Sequence, residues 1–166
     1  GGTFTGSLKS NATNHSMVFY LAGSSHVIFD GLNFDGSTVP VADFHQGAFS
    51  FTNSDHIVVR GSSFHDYPSA RERTDKPGQS RFGAFNSITR ASYIVISGNE
   101  FRDIGEFPPK YETGKHMIAG GLETEFVWIT ANSMIRGAED AVQVISWGAG
   151  EPNKYWWIAG NDVRSM

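Results

Sequence analysis

Apolar and polar residues alternate in short bursts along this chain, and the bursts recur in one form. Five eight-residue segments superimpose, starting at Val27, Ile57, Ile94, Val127 and Trp156. Their third residues, Phe29, Val59, Ile96, Ile129 and Ile158, lie 30, 37, 33 and 29 positions apart. The first, third and eighth columns are large and apolar throughout, the eighth being Phe34, Phe64, Phe101, Met134 and Val163. A strand whose alternate side chains enter a core, followed by a turn and re-entry, produces this pattern. The fifth column is Gly31, Gly61, Gly98, Ala131 and Gly160, a position that predicts little side chain and a special backbone angle. The sixth becomes Asn99, Asn132 and Asn161, whose amides can hydrogen-bond along a stack.

A second strand precedes each segment, with Phe19, Phe49, Phe85, Ile118 and Val142 expected to point inward. Short Ser/Thr/Asn stretches between the strands, such as Thr52-Asn53-Ser54-Asp55, read as turns. Period two, β-branched and aromatic residues, and flanking glycines argue against helices. Equivalent columns in successive repeats argue for a stacked solenoid over an immunoglobulin-like sandwich, which requires none.

The pattern apolar-x-apolar-x-x-Asn-x-apolar of Ile94-Val95-Ile96-Ser97-Gly98-Asn99-Glu100-Phe101 resembles the coil repeat of right-handed parallel β-helix proteins, the superfamily of the pectate lyases. The resemblance covers about Ser16 to Val163 and implies an all-β solenoid of five coils. At about 4.8 Å per coil, five coils span roughly 24 Å. No amphipathic capping helix is apparent at either end, so residues 1–166 are expected to form one β-helix domain, or a fragment of a longer one, with uncapped ends.

Composition narrows the picture further. With 13 basic and 17 acidic residues among 166 and a net charge of −4, nucleic acid and anionic lipid are poor partners. Without cysteine there is no disulfide framework, thiolate metal site or cysteine nucleophile. No apolar run approaches the ~20 residues of a membrane span. The start, Gly1-Gly2-Thr3, shows no methionine, basic or apolar leader region, so any targeting segment is expected to have been removed or to lie outside this sequence.

Long insertions follow the eighth column at 35–47, 65–83 and 102–115, whereas 136–140 is short. All leave equivalent positions and so flank the strand of Phe49, Phe85, Ile118 and Val142. Lyases of the resembled fold work in a groove on that strand's outer face. They take a proton from the carbon beside a uronate carboxylate and expel the glycosidic oxygen, which needs a base and a neutralising cation. Lys115 and His116 are the candidate bases, with Arg81 and Arg136 as carboxylate clamps. Glu139 and Asp140 are candidate oxygen ligands for Ca²⁺, the one cofactor the resemblance suggests. Asp43, His45, Ser50, Asn86, Tyr111 and Gln143 are expected to line the polysaccharide. Plainer readings stand beside these: Glu139-Asp140 as a solvated turn, Lys115-His116 as a polar loop end. No cluster reproduces the calcium-carboxylate arrangement of pectate or alginate lyases.

The second column, Ile28, Val58, Val95, Trp128 and Trp157, should face outward. Two positions earlier lie His26, His56, Tyr93, Phe126 and Tyr155, outward as well if the strand extends so far. Two exposed apolar ladders mark a contact surface, for flanking parts of the same protein, another subunit, or sugar rings. Two functions are therefore expected as alternatives. One is a secreted or cell-surface polysaccharide-binding or lyase domain. The other is a non-enzymatic segment of a surface fibre or adhesin that self-associates through open ends and aromatic ladders.

Overall fold

A computed structural model of the chain describes residues 3–5, 16–37, 45–67, 81–82, 84–105, 116–137, 140–145, 150 and 152–166. The described residues form an all-β structure of three parallel sheets. The first sheet runs through β2 (Ser16–Ala22), β5 (His45–Thr52), β9 (Phe85–Thr89), β12 (Ile118–Gly121) and β15 (Val142–Ile145), with β8 (Arg81–Phe82) also paired to β5. The second contains β3 (Ser25–Asp30), β6 (Asp55–Arg60), β10 (Ser92–Ser97), β13 (Glu125–Thr130) and β16 (Lys154–Ala159). The third contains β1 (Thr3–Thr5), β4 (Asn33–Asp35), β7 (Ser63–Tyr67), β11 (Glu100–Ile104), β14 (Ser133–Gly137) and β17 (Asp162–Arg164).

Each repeat thus contributes one strand to each sheet, and neighbouring strands come from successive repeats. The register matches the sequence columns: Val27↔Ile57, Ile57↔Ile94, Ile94↔Val127 and Val127↔Trp156 lie side by side. No helix among the described residues is long and apolar enough to cross a membrane.

The core lies between the sheets and is built from columns of like residues. Phe34, Phe64 and Phe101 stack with ring centroids 4.7 and 5.0 Å apart. Phe19, Phe49 and Phe85 form a second ladder at 5.4 and 5.1 Å. Rings of one ladder meet the other edge-on, as in the Phe34–Phe49 contact at 5.2 Å, which suits the aromatic quadrupole. The inward columns of the second sheet, Ile57, Val59, Ile94, Ile96, Val127 and Ile129, are fully buried. In the last repeat Ile158, of the third column, and Val163, of the eighth column on the third sheet, are about half exposed, at 48% and 47%.

The turns repeat as regularly as the strands. The fifth column is left-handed throughout, with φ between 54° and 65° at Gly31, Gly61, Gly98, Ala131 and Gly160. Ala131 is the one residue there with a Cβ, which the left-handed region penalises by roughly 1–2 kcal/mol, against about 0.5–1 for the extra chain entropy of glycine. Ala131→Gly is therefore expected to raise stability by about 0.5–1 kcal/mol, read as a higher urea midpoint with an unchanged slope.

The asparagine column behaves as its chemistry predicts. The Asn132 Nδ2 amide donates to Ile96 O (3.0 Å) and to Asn161 Oδ1 (2.9 Å), and Asn132 Oδ1 accepts from Asn99 N (3.0 Å). Ser62 holds the same column one repeat earlier, where its Oγ accepts from Leu32 N at 3.1 Å.

Candidate functional site

The starts of the first-sheet strands gather several of the residues singled out by the sequence. His45 opens β5 and lies in register beside Arg81 of β8. Two repeats on, Met117 N donates to Asp140 O at 3.1 Å, fixing the entry to β12 against the entry to β15. That bond sets the Asp140 carboxylate 3.2 Å from His116 Nδ1, an ion-pair distance without the alignment of a hydrogen bond. The His116 side chain is only 6% exposed, whereas that of Asp140 is 60% exposed. A buried imidazole against an exposed carboxylate can hold a proton at a fixed place, the elementary requirement of acid–base chemistry.

The polar row expected on the outer face of this sheet is arranged differently in part. Ser50 lies beside Tyr20 on one side and Ser87 on the other, because a register shift between Phe49 and Ser50 leaves Asn86 in the bulge. Gln143 lies beside Ala119. Ser50 is buried although it alternates with the inward Phe49 and Phe51.

Arg136 ends a strand of the third sheet and is already engaged. Its Nε and Nη2 reach the two oxygens of Asp103 at 2.5 and 2.7 Å, a bidentate pair, and Arg102 adds a contact at 3.6 Å. The Arg136 hydrogen bond is the main reason the Asp103 carboxyl is held below its ordinary range. Its contribution to stability is therefore present above the ordinary carboxylate pKa and lost as the pH falls through the lowered one. To clamp a substrate carboxylate, Arg136 would have to release Asp103. Asp43, Tyr111, Lys115 and Glu139 lie outside the described residues, and His45, Arg81 and Asn86 are placed by backbone register alone. Asp140 belongs to no group of three converging His or carboxylate ligands among the described residues, so the Ca²⁺ expectation gains no ligand set there.

On the second sheet the outward column stands as expected. Ile28, Trp128 and Trp157 are exposed, the two tryptophans at 36% and 63%, and Val58 and Val95 are half-buried. His26, His56, Tyr93, Phe126 and Tyr155 also face outward, but through a left-handed kink with φ of 52–58° in every strand. That kink turns the preceding Ser25, Glu125 and Lys154 outward too. The five rings stack in sequence with centroids 4.6–4.9 Å apart. Their faces cover one another and their edges meet solvent, so this ladder is poorly placed to stack on sugar rings. Trp128 and Trp157, in register beside it, are the better platform.

The spacing of the histidines along the chain gives no short metal-binding motif, yet among the described residues the fold brings two mixed groups together. They are Asp35, His65 and Asp66, and His26, Asp55 and His56. The signal that could have found them is the repeat itself, since Asp35 and His65 share a column one repeat apart. No protein-family model, no curated protein sequence and no solved structure matches this chain.

Proposed function

We propose that the three parallel sheets are the walls of a right-handed parallel β-helix, and that this solenoid works outside the cell on a uronate-containing polysaccharide by β-elimination. The observation that carries the reading is the edge of the first sheet, where His45 lies beside Arg81 and His116 lies against Asp140. Arg81 would neutralise the uronate carboxylate, making the neighbouring C–H acidic. Lys115 and His116, consecutive in sequence, would supply the base. The base takes that proton, its electron pair forms the new carbon–carbon double bond, and the glycosidic C–O bond breaks with protonation of the leaving oxygen. Asp140 would steady His116, and Gln143 would lie along the groove, whereas the buried Ser50 would not reach the polymer.

The test is release of unsaturated uronide products, followed in the ultraviolet on pectate and alginate. A positioned base contributes about 10²–10⁴-fold, so Lys115→Ala or His116→Ala should cost at least about a hundredfold in kcat. Because Arg81 supplies the charge in this reading, chelation should leave turnover unchanged. A folded protein that turns over no uronate polymer sinks the proposal.

A second reading, a non-enzymatic fibre or adhesin segment, draws on the exposed Ile28, Trp128 and Trp157 of the second sheet. It predicts concentration-dependent association in sedimentation, lost in the Trp128→Ser, Trp157→Ser double variant. A monodisperse monomer at high concentration would exclude it.

A further inference from the structure

The group at the outer face of the third sheet stands apart from the polysaccharide reading and from the aromatic face. Asp35 ends β4, and His65 lies beside it in register on β7. Asp66 follows in a left-handed kink with φ of 57°. One ligand atom from each of Asp35, His65 and Asp66 lies within 4.8 Å of the others. The His65 side chain is only 16% exposed and that of Asp66 46%.

Two features of this group bear on metal binding. First, the imidazole is oriented from behind: Nε2 lies 3.1 Å from Asn33 Oδ1, a carbonyl oxygen that can only accept. Donation of Nε2–H to Asn33 fixes the tautomer and leaves Nδ1 as the nitrogen facing the carboxylates, the arrangement that commonly supports a metal-binding histidine. Second, Nδ1 lies 2.6 Å from Asp66 Oδ2. At that distance the two atoms share a proton, so a metal ion bound here would take the place of that proton and move the two atoms apart. The Asp35 Oδ1 atom accepts from Ser37 N at 2.9 Å and the Ser37 side chain also hydrogen-bonds this carboxylate, which anchors it beside the ring.

The other mixed group meets the same distance limit and has a like contact, His56 Nδ1 to Asp55 Oδ1 at 2.6 Å, but its two imidazoles are arranged differently. The His26 and His56 rings are stacked 4.7 Å apart and within 3° of parallel, so their in-plane lone pairs run side by side instead of meeting.

We propose that Asp35, His65 and Asp66 bind one Zn²⁺ ion, with Asn33 as a positioning residue and water in the fourth position. One imidazole nitrogen and two carboxylates suit zinc, whereas Ca²⁺ prefers an all-oxygen shell. Zinc bonds of about 2.0–2.2 Å place ligand atoms roughly 3.4 Å apart. Small rotations of the Asp66 and Asp35 side chains would open the 2.6 Å contact with His65 and bring all three ligand atoms to that spacing.

The experiment is titration calorimetry of zinc chloride into the chelator-treated full chain, with a melting curve for each variant. One Zn²⁺ per chain is expected, undiminished by excess Ca²⁺ and accompanied by a raised melting temperature. His65→Ala and Asp66→Asn should remove both effects, and Asn33→Ala should weaken binding about 10–100-fold while the metal-free melting curve stays put. His56→Ala and His116→Ala should bind as the parent does. Absence of zinc binding, which would leave a proton as the ion between His65 and Asp66, overturns the proposal. So does binding that survives in His65→Ala or disappears in His56→Ala. Loss in His116→Ala alone would move the metal to the first-sheet edge and overturn it equally.

Discussion

Asn132→Leu is expected to lower folding stability by about 3–5 kcal/mol. Leucine has the same number of side-chain heavy atoms and the same branching as asparagine, so no cavity is left and the loss is one of hydrogen bonding. The amide of Asn132 satisfies Ile96 O with its nitrogen and both the backbone N and the side-chain Nδ2 of Asn99 with its oxygen, at 3.0–3.1 Å. Asn132 is 1% exposed and Asn99 3%, so water does not readily replace what is removed. Each buried donor or acceptor left unsatisfied costs about 1–3 kcal/mol; Ile96 O and Asn99 N lose this partner, and Asn99 Nδ2 keeps only its bond to Val59 O. Asn132→Ser should recover part of the loss, because Ser62 already accepts from the preceding repeat in this column. Urea denaturation of the three proteins measures the series. A loss under about 1 kcal/mol for leucine would show that the ladder does not bind successive repeats as described.

Phe49→Ala should cost a similar amount, about 3–5 kcal/mol, by leaving a cavity. Phe49 is fully buried, stacked between Phe19 and Phe85 and met by the rings of Phe29, Phe34, Phe51 and Phe64. The surroundings can relax little, because parallel backbone ladders hold neighbouring strands about 4.8 Å apart on each side of the gap. Trp157→Ser is the contrast: it removes a larger side chain from the outer face and should change stability by no more than about 0.5 kcal/mol. Equal losses in the two variants would contradict the inward and outward assignment of the columns.

These variants also show how far residue order alone carries. The inward positions of Phe49, Ile94 and Ile129, the left-handed fifth column and the asparagine ladder are all legible in the sequence, because stacked repeats meet through equivalent positions. The aromatic kink was legible only in part. Alternation places His26 and Tyr93 outward, but a left-handed residue inside each strand has no signature when it is histidine, tyrosine or phenylalanine.

The polar chemistry was less accessible. Arg136 reads as a free clamp in the sequence, and its bidentate hold on Asp103 depends on two kinks that share a corner across adjacent strands. His116 and Asp140 were each candidates for separate roles; only the pairing of Met117 with Asp140 makes them neighbours. Asn86 was expected in a row with Ser50, and a one-residue bulge gives that position to Ser87.

The repeat, the strands, their inward faces and the outer apolar columns follow from residue order, because side-chain alternation and column identity are properties of order along the chain. The tertiary structure decided which charged residues neutralise one another and which converge, since partners such as Asp35 and His65 or Asp103 and Arg136 lie about one repeat apart and meet only through strand register and the left-handed corners.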